Sequence, residues 1–231
     1  MNAAIILSGG TGTRMGSDIP KQYLEAGGKP VIAYCISVFE SSADIDGIVV
    51  VAASEYRDLI RSLFSDEKKF LGFADPGANR QLSILSGMNV LRPVMKPDDH
   101  VMIHDAARPL ITCELIRGIT EALKTGEAVL PVLPVKDTLY EVENGRVTGN
   151  LDRSRVCAGQ APEGFSFGTY LKAVESLLPE RILDISGSMQ PAVIAGMDIV
   201  CIPGDERNFK ITTPADLERF NEILVNNGTV W

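Results

Sequence analysis

Short apolar runs alternate with amphipathic stretches along the first half of the chain. Three runs are apolar on both faces of a strand: 3–7, 47–53 and 101–103. Three stretches carry apolar residues at helical spacing: 29–40, 56–64 and 112–124. Strands apolar on both faces are typical of parallel sheets covered by helices on either side. The alternation therefore predicts an α/β fold, with a Rossmann-like, mostly parallel twisted sheet flanked by helices.

The pattern changes after residue 136. Residues 137–148 alternate apolar and polar positions around Asn144-Gly145, a dipeptide typical of a two-residue hairpin turn. We expect residues 137–160 to form a β-arm within one domain that comprises residues 1–231. Because an isolated two-stranded ribbon is marginally stable in water, we expect this arm to pack against its copy in a two-fold homodimer.

The first apolar run leads into a glycine-rich loop, Ser8-Gly9-Gly10-Thr11-Gly12-Thr13-Arg14-Met15-Gly16. Glycines let main-chain N–H groups approach a ligand closely, and Arg14 and Lys21 add two cations. The predicted ligand carries several negative charges, as a nucleoside triphosphate does. Neither the dinucleotide fingerprint nor the P-loop pattern is matched. The alternative is a plain strand-to-helix turn, which would not explain the two cations.

Two further segments contain candidate ligand contacts. Asp105 directly follows an apolar run, where ligands collect in parallel sheets, and a carboxylate there is placed to hold Mg²⁺ against a triphosphate. The alternative is a structural ion pair with Arg108, since buried carboxylates are usually paired. The loop around Gly77 could lie against a base with Ser83 as donor or acceptor, or Ser83 could be only a helix cap.

Composition narrows the class of protein. The formal net charge of −8 argues against nucleic-acid binding, which requires a basic face, but not against a triphosphate held by local cations. The amino-terminal apolar run follows no basic segment and is too short to span a membrane, so we expect a cytoplasmic protein without membrane contact. The four scattered cysteines lack zinc or disulfide spacing and are expected to be small core residues.

Five separated stretches, taken together, resemble one family over nearly the whole chain: the 2-C-methyl-D-erythritol 4-phosphate cytidylyltransferases and the similar ribitol-5-phosphate cytidylyltransferases. The stretches are Gly-Gly-Thr-Gly-Thr-Arg-Met-Gly with Pro-Lys-Gln-Tyr-Leu, Asn-Arg-Gln-Leu-Ser, His-Asp-Ala-Ala-Arg-Pro, Val-Lys-Asp-Thr, and Gly-Asp-Glu-Arg-Asn-Phe-Lys-Ile-Thr-Thr-Pro-Ala-Asp-Leu.

The resemblance implies a nucleotidyltransferase that moves a cytidylyl group from CTP to a polyol phosphate, with Mg²⁺ or another divalent cation as cofactor. Its implied catalytic cations are Arg14, Lys21 and Lys210. Its implied nucleotide contacts are Ser8, Gly9, Gly10, Thr11, Gly12, Thr13, Gly77, Arg80, Ser83 and Asp105. Asp105, also the implied metal ligand, would contact the acceptor together with Thr138 and Arg153, which the arm of the neighbouring subunit would deliver.

The departures from the family lie on the acceptor side. Gln160-Ala161-Pro162-Glu163 stands where the family has Gln-Thr-Pro-Gln, and residues 184–190 lack a match to the family's Thr-Asp-Asp/Glu stretch. Methylerythritol phosphate is the first choice of acceptor because His-Asp-Ala-Ala-Arg-Pro and Asp152-Arg153 are closer to that branch. Gly159-Gln160 favours ribitol 5-phosphate. A nucleotide-binding regulatory subunit without turnover is the alternative from another class, and it would not need Lys210.

Overall fold

The computed structural model of the chain describes residues 1–10, 19–66 and 68–226. Four predicted site residues lie outside this part of the chain: Thr11, Gly12, Thr13 and Arg14. The strands are β1 (Asn2–Leu7), β2 (Glu25–Ala26), β3 (Lys29–Pro30), β4 (Gly47–Val51), β5 (Phe70–Ala74), β6 (His100–Asp105), β7 (Ala128–Pro134), β8 (Leu139–Glu143), β9 (Arg146–Leu151), β10 (Cys157–Gly159), β11 (Glu163–Ser166) and β12 (Ile199–Pro203). The α-helices are α1 (Val31–Ser41), α2 (Arg57–Arg61), α3 (Arg80–Leu91), α4 (Cys113–Ala122), α5 (Phe167–Glu175), α6 (Gln190–Ala195) and α7 (Pro214–Asn226).

Within the described residues, eight strands form one sheet in the order β10-β7-β11-β6-β1-β4-β5, with β12 also paired to β7. Strands β6, β1, β4 and β5 run parallel, whereas β11 runs antiparallel to both β6 and β7. The predicted α/β fold with a mostly parallel sheet is confirmed, and the antiparallel β11 makes the sheet mixed. Strands β1 and β6 therefore end side by side at the same edge.

Alternate residues of β1 enter two different cores. Ala3 and Ile5 pack with residues of α3 and α5 on one face, and Ala4 and Ile6 pack with residues of α1 and α4 on the other. All four side chains are fully buried, because helices cover both faces of a central parallel strand. Strand β1 is thus packed on both of its faces.

The predicted hairpin is present as β8 and β9, which pair with each other in a sheet of their own. Asn144 and Gly145 have φ angles of 49° and 75°, the left-handed conformation that a type I′ turn requires at both central positions. Tyr140, Val142 and Val147 are 58%, 60% and 66% exposed. Val142 pairs with Val147 across the strands, so these three side chains share one solvent-facing surface, the arm face.

The cysteines only partly match the expectation of core residues. Cys35 is buried, Cys113 is half-buried, and Cys157 and Cys201 are exposed. The expectation was wrong for the last two because their side chains lie on solvent-facing positions of β10 and β12. Over the described ranges, no helix combines the length and the apolar character needed to cross a membrane.

Candidate nucleotide site

A cleft of about 520 Å³ opens where β1 and β6 end, a size within the roughly 300–1,000 Å³ of small-molecule sites. Eight of the residues predicted to contact ligand line it: Gly9, Gly10, Lys21, Gly77, Arg80, Ser83, Asp105 and Lys210. The fold therefore brings lysines from opposite ends of the chain to one cleft. This convergence agrees with a site for a highly charged anion.

The glycine loop is held to the segment that carries Lys21. Gln22 donates from Nε2 to the carbonyl oxygens of Ser8 (2.7 Å) and Gly10 (2.8 Å). Tyr23 Oη donates to the Ser8 carbonyl oxygen (3.1 Å) and accepts from Ser8 Oγ (2.6 Å). Gln22 and Tyr23 are both buried, so Ser8 and Gly10, at the start of the glycine loop, are held against the segment that carries Lys21. The Ser8 hydroxyl, predicted to contact nucleotide, is used inside the protein.

Ser83 joins the Gly77 loop to α3. Its Oγ accepts from the Gly77 N–H (3.0 Å) and donates to the Asn79 carbonyl oxygen (2.9 Å). The cap of α3 is Asn79, whose side chain accepts from the Leu82 N–H at 2.8 Å, so the alternative of Ser83 as cap is wrong. A Cβ at Gly77 would lie 2.4 Å from Leu82 Cβ, which only glycine avoids.

Asp105 is the negative centre of the cleft and is 7% exposed. Its Oδ1 accepts a hydrogen bond from Arg80 Nη1. Its Oδ2 lies 2.9 Å from Lys210 Nζ and 3.6 Å from Arg108 Nε. Burial alone would raise the pKa of Asp105, but Arg80, Lys210 and Arg108 outweigh it and hold that pKa well below the usual range. The predicted ion pair between Asp105 and Arg108 exists, but the contacts of Asp105 with Arg80 and Lys210 are shorter.

Lys210 reaches Asp105 because the loop before α7 is fastened to the segment after β6. Arg108 Nη1 donates to the Asn208 carbonyl oxygen at 2.8 Å. The Ile211 N–H donates to the Ala107 carbonyl oxygen, also at 2.8 Å. These bonds flank Lys210 on both sides in sequence, so its position is set by backbone contacts and not by the ion pair alone.

Arg80 has a second contact that sequence reasoning missed. Its Nη2 donates to Ser188 Oγ at 3.2 Å, and Ser188 Oγ donates to Glu163 Oε2. Burial raises the pKa of Glu163. Ser188 lies in none of the matched motifs, so no sequence pattern indicated it. The sequence did indicate a change at this place, because Glu163 stands where the family has glutamine.

Thr138 and Arg153, the predicted acceptor contacts, are both exposed and are not among the residues that line the cleft of the same chain. Arg153 Nη1 donates to the Lys136 carbonyl oxygen at 2.8 Å. The structure thus leaves both residues on the arm side of the molecule.

Asp105 is the carboxylate among the described residues that line the cleft. Throughout the described ranges, no group of three or more His, Cys, Asp or Glu side chains is arranged to hold a metal. Mg²⁺ at nucleotide sites is commonly bound by one or two carboxylates together with phosphate oxygens and water. Asp105, which lines the same cleft as Gly9 and Gly10, would be the carboxylate that holds such a cation.

Among the residues that the structure describes, glycines, two lysines, one arginine and one carboxylate line a cleft where a parallel strand ends. This arrangement defines an α/β protein that binds the phosphates of a nucleotide. A model of the 2-C-methyl-D-erythritol 4-phosphate cytidylyltransferase family matches residues 2–226. The 2-C-methyl-D-erythritol 4-phosphate cytidylyltransferase of Roseobacter denitrificans is 38% identical over 221 residues, which cover 96% of each chain.

Two other known proteins extend the likeness. The ribitol-5-phosphate cytidylyltransferase of Lactiplantibacillus plantarum is 34% identical over 221 residues, 93% of this chain and 94% of the relative. The crystal structure of the Francisella tularensis 2-C-methyl-D-erythritol 4-phosphate cytidylyltransferase matches with a TM-score of 0.81 and 26% identity, covering 96% of this chain and 98% of that one. The chain belongs to the 2-C-methyl-D-erythritol 4-phosphate cytidylyltransferase family, which confirms the resemblance.

Proposed function

We propose that this protein transfers a cytidylyl group from CTP to 2-C-methyl-D-erythritol 4-phosphate, with release of pyrophosphate. Membership of the family supports the reaction. The structural observation that carries it is the convergence of Lys21, Arg80 and Lys210 on one glycine-lined cleft around Asp105. The relatives are named as enzymes, which favours catalysis over a purely regulatory nucleotide-binding role.

The nucleotide lies with its triphosphate against the glycine loop. Main-chain N–H groups of Gly9 and Gly10 face the phosphates, and Lys21 and Arg80 neutralise their charge. The cytosine lies along the loop that Ser83 holds at Gly77. We assign Arg14 to the same set of phosphate contacts on the strength of the motif alone.

In the reaction, a phosphate oxygen of the acceptor attacks the α-phosphorus of CTP. A new P–O bond forms as the bond from the α-phosphorus to the bridging oxygen breaks, and the electron pair leaves with pyrophosphate. Lys21 and Lys210 stabilise the charge that builds up on the phosphoryl and leaving oxygens, and little other chemistry is required of the protein. Mg²⁺, bound by Asp105 and the nucleotide phosphates, would supply additional positive charge there.

We propose that the acceptor site is completed by the arm of a second subunit, which supplies Thr138 and Arg153. Two observations support this arrangement. Neither residue lines the cleft of its own chain, and the arm face exposes the apolar side chains of Tyr140, Val142 and Val147, which are suited to a partner. The cytoplasmic location expected from the sequence stays a prediction.

Ribitol 5-phosphate is the second candidate acceptor. It is favoured by the 34% identity to a relative named for that substrate and by Gly159-Gln160. The loss of the family hydroxyl at Ala161 also weakens the case for methylerythritol phosphate.

The test is a pyrophosphate-release assay of the purified protein with CTP, Mg²⁺ and each acceptor in turn. We expect release with methylerythritol phosphate and CTP, and much less with UTP or ATP. Faster release with ribitol 5-phosphate would transfer the assignment to the second candidate. Absence of release with both acceptors would contradict the proposed function.

A further inference from the structure

Glu163 is a second carboxylic acid near the cleft; it does not line the cleft itself but contacts Arg80, which does, through Ser188. It begins β11 and pairs with Ile103 of β6. Asp105 lies two residues beyond Ile103, and paired or alternate residues of a sheet share a face. Glu163 and Asp105 therefore project from the same face, the one covered by α3. The role proposed above for the cleft does not account for this second acid.

A hydroxyl group connects Glu163 to the cleft. Ser188, which is 1% exposed, accepts a hydrogen bond from Arg80 Nη2 at 3.2 Å and donates one to Glu163 Oε2. Arginine only donates hydrogen bonds, so its contact fixes the Ser188 oxygen as acceptor and leaves the hydroxyl proton to Glu163. The direction of the whole chain of hydrogen bonds is thereby set.

Arg80 is thus held at two points. One nitrogen donates to Asp105 and the other to Ser188. With a single anchor, the guanidinium could rotate about its bond to Asp105, and the Ser188 contact prevents this. The charged or titratable groups that face Glu163 from neighbouring elements are Arg80, Asp105, Arg108 and Tyr170.

We propose that Glu163, acting through Ser188, is a positioning residue that holds Arg80 in the orientation in which it contacts the triphosphate. This inference rests on the proposed function only in taking CTP as the ligand. It predicts that the hydrogen-bond acceptor at residue 163, and not its charge, is the property that matters. The family glutamine would serve equally well, because its amide oxygen also accepts a hydrogen bond from a hydroxyl.

The experiment compares Glu163→Ala, Glu163→Gln and Ser188→Ala with the wild-type protein. CTP affinity is measured by calorimetry without acceptor, and the KM for each substrate by pyrophosphate release. We expect the two alanine variants to bind CTP about tenfold more weakly, the scale of one hydrogen bond to a charged group. The KM for the acceptor should stay close to the wild-type value, and Glu163→Gln should bind CTP as the wild type does.

Ser176→Ala is the matched control, because Ser176 also donates a hydrogen bond, to the Ala173 carbonyl oxygen, but lies away from the cleft. Ser188→Thr keeps the hydroxyl and should restore affinity if Ser188→Ala proves unstable. Unchanged CTP affinity in both alanine variants would overturn the proposal. So would a Glu163→Gln variant as weak as Glu163→Ala. Because calorimetry needs no turnover, a wild-type protein that binds CTP without transferring it would refute the proposed function alone.

Discussion

Replacing Asp105 by asparagine tests how far the cleft depends on one negative charge. Asparagine keeps the shape of the side chain but removes the charge that Arg80, Lys210 and Arg108 share. Three like charges then remain around a neutral group. The variant should therefore be less stable than the wild type in the absence of ligand.

The size of the effect follows from burial. Removing one partner of a buried ion pair costs about 3–5 kcal/mol. The side chains of Lys210 and Arg80 are 34% and 27% exposed, so water partly replaces the lost partner and the lower end applies, about 3 kcal/mol. For a chain of this size that corresponds to a fall in melting temperature of about 6–12 °C.

The pH dependence has a definite sign. The folded-state pKa of Asp105 lies below its unfolded value, so its contribution is fully present above the unfolded pKa and is lost as pH falls toward the folded one. The difference in stability between wild type and Asp105→Asn should be constant near neutrality and shrink below about pH 4.

The assay is thermal unfolding with and without pyrophosphate, in the absence of metal. Asp75→Asn is the matched control, because Asp75 pairs with Arg57 but its side chain is 84% exposed, and exposed pairs contribute about 0–1 kcal/mol. Pyrophosphate should raise the melting temperature of Asp105→Asn more than that of the wild type, since it replaces the missing negative charge. Equal melting temperatures for Asp105→Asn and Asp75→Asn would refute this reasoning.

Three further predictions concern other parts of the molecule. Lys21→Ala and Lys210→Ala should each lower kcat by about 100-fold, the scale of one lost transition-state charge contact; wild-type rates of pyrophosphate release would contradict their roles. Gln22→Ala removes the Gln22 hydrogen bond to the Gly10 carbonyl oxygen and leaves the Ser8 carbonyl oxygen with Tyr23 Oη as its side-chain donor. It should lower the free energy of unfolding by about 2 kcal/mol, measured by urea titration; an unchanged midpoint would show that the Gln22 hydrogen bonds do not stabilise the fold. The wild type should sediment as a dimer at micromolar concentration, and the double variant Tyr140→Asp with Val142→Asp should sediment as a monomer. A monomeric wild type would contradict dimerisation through the arm.

The parts of the fold that the sequence predicted are those with a strong local signal. Strand β4 is buried at all five positions, and its apolar run indicated this directly. The turn at Asn144-Gly145 was predicted because few other dipeptides adopt two successive left-handed residues. Strand β11 was missed because it has only four residues and follows Pro162, so its ladder with β6 depends on tertiary contacts that no local pattern records.

In the site, too, the sequence predicted the residues that have a local signal and missed those that depend on tertiary contacts. Lys21 and Asp105 were found because each follows a recognisable local feature, a glycine loop or an apolar strand. The helix-capping alternative for Ser83 was wrong because Asn79, four residues earlier, already supplies the cap. Ser188 was missed because its role depends on Arg80, which is distant in sequence, and hydrogen bonds of this kind carry no periodic signal.

The arrangement around Asp105 explains how a protein with a formal net charge of −8 keeps a cationic site ready for a triphosphate. Arg80, Arg108 and Lys210 would repel one another in an empty cleft, and the shared carboxylate holds them in place before the nucleotide arrives. The cations therefore need little reorganisation when the phosphates bind, which is the condition under which fixed charges accelerate phosphoryl transfer most. The residue expected to bind metal thus has a second role that needs no metal, and the two are separable: loss of preorganisation lowers stability without ligand, whereas loss of a metal contact lowers turnover alone.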